Sequence, residues 1–410
     1  MKKKLSEILD VSLPIYIIIN LLYILVGSYM VFNKIILYSI FSYGYIVLLT
    51  INILIILILF FKKKYKKNKI DIFLLLIIIF ALISTIFAYK PNKALFGEWG
   101  RYEGLFVICY YMTIIFITSF LKKEDRKIIV YSILVFGFIQ CIYAICQKLN
   151  LFNVYTRIEK GWRWATGFTG NRNFFGTLML SCICYSIGLY IKSKGKIETI
   201  CLLTLTYIFS VGLLLSKTRS VMVGLVIVMM ILFIYAIKKK YLKKYITLFL
   251  VLVFSTALMQ LLNLTPVIKY VNTAKTEISN TIKGNVDDGY GSGRIEIWKK
   301  TIQIVPRYIV HGIGVDNFAN IIDGKPIIRE NTIVDKAHNE YLQILVTTGI
   351  FSLISYLCMH FIAIKEGIKN KEIYYILPII GYLVQAQFNI SIIEVAPIFY
   401  IGIGLLINRD

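Results

Sequence analysis

The sequence predicts an all-α membrane protein with about twelve transmembrane helices and one large extracytoplasmic loop. Of its 410 residues, 58% are hydrophobic and the mean hydropathy is +0.73, whereas soluble domains contain about half apolar residues or fewer. The apolar residues fall into runs of roughly bilayer-spanning length, and blocks of lysine separate every second pair of runs. One linker, residues 264–338, is far longer than the others. A soluble globular domain is therefore excluded.

The apolar runs divide the chain into three parts. Candidate spans are residues 13–32, 35–61, 71–88, 104–121, 128–149, 173–191, 197–215, 220–237, 245–263, 339–362, 373–391 and 393–407. Residues 1–263 thus contain nine predicted helices, 264–338 form the large loop, and 339–410 contain the last three. Loops of that length are usually functional or disordered.

The lysine blocks predict the orientation of the chain. An excess of Lys and Arg in short linkers marks the cytoplasmic side, so both termini are expected in the cytoplasm and the 264–338 loop outside. The net charge of +24 could also indicate nucleic-acid binding. The lysines, however, lie in blocks between apolar runs rather than along one face, so the charge is interpreted as a topology signal.

An amphipathic helix is predicted near residues 294–305, after a glycine-rich turn at 289–293. Its apolar face contains Ile295, Trp298, Ile302 and Val305, and its polar face contains Arg294, Lys299 and Lys300. We expect it to lie on the outer membrane interface with Trp298 as an anchor. A plain interfacial helix with solvated charges is the alternative.

His338 is the candidate general base. It is one of only three histidines, and it stands where the polar loop re-enters an apolar run. A neutral imidazole can accept a proton near pH 7. Asp335 is expected to orient the ring, because Glu340 would point away from His338 on a helix. The simpler alternative is a histidine that satisfies backbone groups or a nearby carboxylate at a helix start.

Five arginines fall in segments predicted to lie outside, where positive charge is normally scarce. They are Arg101, Arg163, Arg172, Arg219 and Arg294, and they alternate along the chain with Trp99, Trp162 and Trp164. A guanidinium group matches phosphate oxygens, and an aromatic face can stack on a sugar ring, so the ligand is expected to be anionic and partly sugar. The alternative is arginines that extend to lipid phosphates. A nucleic-acid partner is not expected on an outer membrane face.

No cofactor or metal site is predicted. The sequence has no phosphate-binding loop of the P-loop type and no Asp-rich motif in its lysine-rich linkers. The seven cysteines are scattered, without the spacing of a zinc site or a disulfide framework. An activated sugar would therefore have to arrive already attached to its carrier, which suggests a lipid-diphosphate donor.

Four short motifs, in chain order, resemble those of the O-antigen ligase and polymerase superfamily of bacterial membrane glycosyltransferases. They are Ala165-Thr-Gly-Phe-Thr-Gly-Asn-Arg-Asn173 with the following Phe-Phe-Gly176; Ser216-Lys-Thr-Arg219; Gly293-Arg-Ile-Glu-Ile-Trp298 with Pro306 and His311-Gly-Ile-Gly314-Val-Asp-Asn-Phe318; and Ala337-His-Asn339. Each motif is short. Their order and their predicted outer placement over about residues 165–350 make the resemblance more specific.

The resemblance implies a fold related to the C-type glycosyltransferases and a metal-independent transfer from a polyprenyl-diphosphate-linked oligosaccharide to a hydroxyl of a glycan or another acceptor. The protein would lie in the cytoplasmic membrane of a bacterium, with its active site outside. By position, His338 would be the base, and Arg219 and Arg294 would bind the diphosphate. The expected substrate-binding residues are Arg101, Arg163, Arg172, Asn173, Asn339 and Trp298. Nothing in the sequence indicates a lipopolysaccharide acceptor, which favours a polymerase or a cell-wall glycan transferase.

Two other functions remain open. A transporter or flippase of the same lipid-linked glycan would usually show internal repeats and mid-span polar groups, of which only Gln385, Gln387 and Asn389 are candidates. A non-catalytic protein that shapes a cell-wall assembly is the third possibility.

Overall fold

The computed structural model describes residues 2–61, 65–156, 158–159, 162–283, 285, 287, 290–320, 328–329 and 332–409. Its α-helices are α1 (Lys2–Phe32), α2 (Tyr38–Phe61), α3 (Ile70–Ile86), α4 (Pro91–Phe96), α5 (Leu105–Thr118), α6 (Lys123–Leu149), α7 (Arg172–Lys192), α8 (Lys196–Leu215), α9 (Arg219–Lys238), α10 (Leu242–Leu261), α11 (Val267–Ile282), α12 (Tyr290–Tyr308), α13 (Glu340–Thr348), α14 (Ile350–Lys369), α15 (Ile373–Gln385) and α16 (Ala396–Leu406). Two short antiparallel hairpins pair Ile158–Glu159 with Trp162–Arg163 and Ile328–Arg329 with Thr332–Ile333.

The predicted helical membrane architecture is confirmed in outline. Within the described residues, eight helices are long and apolar enough to cross a bilayer, namely Val11–Phe32 of α1 and the whole of α2, α6, α7, α8, α9, α10 and α14. Four shorter apolar helices occupy Ile70–Ile86, Leu105–Thr118, Ile373–Phe388 and Ala396–Leu406. Each predicted apolar run therefore contains a helix, while the total of twelve crossings stays a prediction.

Helix α7 forms the centre of the bundle. The apolar window of α7 is buried along its whole length, as expected for a helix that is hydrophobic on every side. Its main neighbours are α8 and α15, and Gly188 lets α15 approach so closely that an added Cβ would lie 2.4 Å from the Cα of Tyr374. With 21 residues, α7 places Arg172 and Lys192 at ends about 30 Å apart.

The prediction of one continuous span at 339–362 is wrong, because the chain breaks at Gly349. Gly349 has a φ of +85°, and α13 ends before it while α14 begins after it. A neighbouring segment fills the break: the amides of Ile313 and Gly314 donate to the carbonyls of Val346 and Thr347, and the Ile350 amide donates to Ile309 at 2.7 Å. The break thus fixes the Gly-Ile-Gly314 segment against α13.

The long loop contains more helix than the sequence predicted. Helix α11 was missed, although an apolar stripe at 267, 271, 274, 278 and 282 runs along it. A helix covers the predicted segment 294–305 and is longer, because α12 begins at Tyr290 and includes most of the expected turn. Its inner face differs: Ile297 and Thr301 are buried, whereas Ile302 is 59% exposed. Ile297 packs with Ile313, Phe318, Val334, Ala337 and Val346.

The Gly349→Ala substitution is expected to destabilise the protein by about 2 kcal/mol or more, since a side chain at positive φ is strained and the new Cβ would lie 2.3 Å from the Val310 carbonyl oxygen. Thermal unfolding in detergent measures this. Gly195→Ala is the matched control, because a Cβ there would meet only Glu198 at 3.9 Å and φ is −75°. Equal melting temperatures for the two variants would contradict the role given to Gly349.

Candidate active site

His338 lies in a loop whose two sides are held by hydrogen bonds. The indole of Trp298 donates to the Ala337 carbonyl at 3.1 Å, and the Ala337 amide donates to Gln343 at 2.8 Å. On the other side, the Asn339 side chain caps α13 by accepting from the Leu342 amide at 3.0 Å. Between these contacts His338 has a φ of +51°. That conformation is strained for a residue other than glycine and is concentrated at functional sites.

The electrostatic surroundings keep the His338 ring neutral. Burial and, to a smaller extent, the positive charge of Arg294 lower the pKa of His338 to about 4, although the negative charge of Asp335 opposes them. Within the described part of the chain, no hydrogen bond joins the ring to another group. At neutral pH the imidazole is therefore unprotonated and can accept a proton from a bound hydroxyl group.

Asp335 is held by Arg101. The Arg101 Nε donates to the Asp335 carboxylate at 2.6 Å. Burial would raise the pKa of Asp335, but the charge and hydrogen bond of Arg101 hold that pKa below its usual value. Asp335 thus acts on His338 through its negative charge, and its contact with Arg101 brings the loop before α5 to the histidine. Its orienting role stays a prediction.

Two other arginines gather beside Arg294. Arg172 is the first residue of α7 and Arg219 the first residue of α9. The Thr218 hydroxyl joins the two helix starts, within 3.2 Å of both the Arg172 carbonyl and the Asn173 side-chain oxygen. Burial, together with the positive charges of Arg219 and Arg172, lowers the pKa of Arg294 to about 10. Arg172, Arg219 and Arg294 are therefore close enough to repel one another.

This group of arginines, here called the arginine cluster, is electrostatically unfavourable by itself. The start of a helix carries a partial positive charge, which favours anions and disfavours cations. Neither α7 nor α9, both fully described, has an acidic residue in its first turn. Glu277 of α11 pairs with Arg219 at 3.1 Å and offsets part of the charge. An anionic ligand would relieve the remaining repulsion, and phosphate groups bind well at helix starts.

The predicted site residues fall into three groups: those around Arg294, those at the edge of the site, and Arg163 by itself. Arg294 links the arginine cluster to His338, Asp335 and Arg101, since its charge acts on both sides. Asn173, Asn339 and Trp298 lie at the edge and make the structural contacts described above. Arg163 lies apart: it donates to Asn150 and has no contact with the arginine cluster among the described residues.

Of the tryptophans that the sequence singled out, Trp164 lies against the arginine cluster. The Arg172 guanidinium stacks on its ring at 4.3 Å. Trp99 is 84% exposed, and the Trp162 side chain lies outside the described residues. Of these three tryptophans, Trp164 is thus the one in contact with the arginine cluster, and sugar binding stays a prediction.

Sequence reasoning missed a buried ion-pair network next to His338. Lys336 is 4% exposed, and its ammonium lies 2.6 Å from Asp316 and 3.5 Å from Glu103. Burial lowers the pKa of Lys336, but the two carboxylates raise it more, so the lysine stays charged. The other Asp316 oxygen accepts the backbone amides of Glu98 at 2.6 Å and Glu103 at 3.3 Å. The network thus ties the Arg101 loop to the His338 loop.

An apolar groove begins beside the His338 loop. It has a volume of about 520 Å³ and is lined mainly by Trp298, Ile302, Leu342, Leu345, Leu353 and Leu357. Arg294 and Trp298 are one helical turn apart on α12, so they lie on one face of that helix. The cationic and apolar parts of the site are therefore neighbours, an arrangement that suits a ligand with a charged head and a lipid chain.

The Lys336→Met substitution is expected to cost about 3–5 kcal/mol of stability, because it leaves two buried carboxylates without their cation. Thermal unfolding in detergent is the measurement. Lys300→Met is the control: Lys300 makes an i,i+4 pair with Glu296 at 2.7 Å, and this partly exposed pair contributes only about 0.5 kcal/mol. If Lys336→Met melted like the control, the network would have no structural role.

Comparison with known proteins supports the resemblance found in the sequence. The family model described as O-antigen ligase matches residues 204–357. No curated protein matches the chain. The matched segment contains Arg219, Arg294, Lys336 and His338, while Arg101 and Arg172 reach the site from outside it.

Proposed function

We propose, from the match of residues 204–357 to the O-antigen ligase family model, that the protein is a glycosyltransferase of a bacterial cytoplasmic membrane. It transfers a glycan from a polyprenyl diphosphate to an acceptor hydroxyl at the outer face. The observation that carries this proposal is the position of a neutral His338 beside Arg294, which also adjoins Arg219 and Arg172. This position supports a proton acceptor next to a cationic group that could hold a diphosphate, as the reaction requires.

The chemistry uses these two parts together. As the acceptor oxygen attacks the anomeric carbon, His338 takes the hydroxyl proton. The bond from the anomeric carbon to the phosphate oxygen breaks, and its electron pair leaves with the lipid diphosphate. Negative charge grows on that diphosphate in the transition state, where the guanidinium groups of Arg172, Arg219 and Arg294 stabilise it. The neutral imidazole then returns after proton loss, which its low pKa favours.

The apolar groove supports a lipid-linked donor rather than a soluble sugar phosphate. Its leucines come from α13 and α14, and Leu357 is 46% exposed on a helix long enough to span the bilayer. A polyprenyl chain in this groove would stay in apolar surroundings while its diphosphate lies against Arg294. The diphosphate then reaches the arginine cluster without leaving the membrane surface.

The direct test incubates the purified protein with a polyprenyl-diphosphate oligosaccharide and follows chain growth without nucleotide sugar. A ladder of products indicates a polymerase, and a single addition indicates a ligase. Arg294→Gln is expected to lower kcat/KM by about a hundredfold or more, since it removes charge stabilisation from the leaving group. Arg307→Gln, on the same helix and beside Tyr308, is the matched control with little change.

Two outcomes would contradict this proposal. Turnover by His338→Ala at the rate of the native protein would exclude the histidine as the base. In cells that express His338→Ala, the expected result is lipid-linked precursor on the outer side of the membrane and no polymer. Precursor that stays on the cytoplasmic side would favour a flippase.

The pH dependence of kcat/KM provides a separate test. The base must be unprotonated, and the pKa of His338 is about 4, so activity should stay level from about pH 8 to pH 6 and fall as the pH drops toward 4. Arg294→Gln removes one of the charges that depress this pKa, so the acid limb should move to higher pH. A pH–rate profile of the purified protein measures both effects. An acid limb that stays in place in Arg294→Gln would rule out the coupling.

A further inference from the structure

A second cavity lies at the opposite end of α7 from the arginine cluster. It has a volume of about 510 Å³ and lies between α6, α7, α8 and α15. Its lining includes Lys123, Lys127, Lys192, Ser193, Tyr374 and Tyr375, together with Glu124 and Glu198. Since Arg172 and Lys192 are separated by about 30 Å along α7, this cavity takes no part in the proposed transfer.

The lining of this cavity has one excess positive charge. Lys127 pairs with Glu198 at 2.8 Å, so those two charges cancel. Of the remaining charged lining residues, Lys123 and Lys192 are positive and Glu124 is negative, which leaves a net charge of +1. The Lys192 ammonium lies 4.2 Å from the centre of the Tyr374 ring and donates to the Lys371 carbonyl at 2.9 Å. Its position at the cavity is therefore fixed rather than left to a flexible side chain.

The end of α7 would normally repel an anion, because helix C-termini carry a partial negative charge. Lys244 removes this obstacle. Its ammonium donates to the carbonyls of Tyr190, Ile191 and Ser193 at 3.1, 3.0 and 2.7 Å. The carbonyl groups that point away from α7 are thus already occupied by a cation.

Exposed apolar side chains lie one or two residues from the cavity lining in the sequence, on helices that are long enough to span a membrane. Ile128 of α6 is 50% exposed, and Ile197 and Ile200 of α8 are 80% and 54% exposed. In a bilayer these isoleucines face acyl chains. A ligand held here thus meets charge at one end and hydrocarbon at the other, which describes a phospholipid and not a free phosphate.

We propose that this cavity binds the headgroup of an anionic phospholipid with a single phosphodiester charge, such as phosphatidylglycerol. One negative charge matches the net charge of the lining, and basic pockets between membrane helices commonly hold such headgroups. The linkers that carry these lysines are the ones predicted to be cytoplasmic, so the lipid comes from the inner leaflet. The site is independent of the glycan chemistry.

The test measures lipid binding to the full-length protein in neutral detergent by native mass spectrometry. The probes are dioleoyl phosphatidylglycerol, dioleoyl phosphatidylcholine and inorganic phosphate. Native protein should retain phosphatidylglycerol in preference to phosphatidylcholine. The double variant Lys123→Gln/Lys192→Gln should bind phosphatidylglycerol roughly 30-fold more weakly, from the loss of two lysine–headgroup interactions. Lys194→Gln/Lys196→Gln, in the same linker but outside the lining, should bind like the native protein.

Three results would overturn the proposal: equal retention of the two lipids, competition by inorganic phosphate, or native affinity in the double variant. If the double variant failed to fold, Lys123→Gln alone would decide, because Lys123 is exposed. The single variant should weaken binding roughly fivefold. Loss of glycan transfer would bear only on the proposed function, because this measurement uses no glycan.

Discussion

The buried ion pair between Lys336 and Asp316 is the interaction on which the geometry of the candidate active site depends. Both side chains are almost fully shielded from water, where an ion pair is costly unless every oxygen and proton is satisfied. Here the Asp316 carboxylate also binds two backbone amides of the Arg101 loop, and Lys336 lies two residues before His338. The loop before α5 and two segments of the long 264–338 loop are thereby held in one arrangement.

Several features around this ion pair lower stability and make sense only as parts of a binding site. His338 has a positive φ, two arginines lie at helix starts, and the Arg294 guanidinium is half-buried near both of them. Protein sequences usually obey local preferences and break them where function demands it. That these departures occur together, beside an apolar groove, is a stronger argument for an anionic lipid-linked ligand than any one of them.

Much of the fold followed from the sequence, because apolar runs and lysine blocks report directly on helices in a bilayer. His338, Arg219 and Arg294 could also be singled out from the sequence, since a rare histidine and arginines in predicted outer linkers are unusual in composition, and their roles stay predictions. The Lys336 network could not be predicted, because Lys336 and Glu103 are more than 200 residues apart and no pattern in the sequence links them. The break at Gly349 was missed because the hydrophobicity of an apolar run does not indicate where one helix ends and the next begins.

Arg163 lies apart from the arginine cluster, and its part in substrate binding stays a prediction. Its neighbourhood of aromatic and basic residues resembled that of Arg172, yet the β-hairpin directs it to Asn150. Composition alone could not separate the two arginines, since their difference arises from the turn between them. From the sequence, Trp298 was expected to be a membrane anchor and a substrate-binding residue. In the structure its indole donates to the His338 loop, and its ring forms part of the groove wall.

The contact between Glu277 and Arg219 has a consequence for selectivity. A carboxylate on α11 already competes for the arginine cluster, so small monovalent anions such as chloride gain little by displacing it. A diphosphate offers many oxygens to several guanidinium groups at once and can replace a single carboxylate. If a diphosphate bound there, helix α11 would lose its Glu277 contact with Arg219 and would be held less tightly against the start of α9.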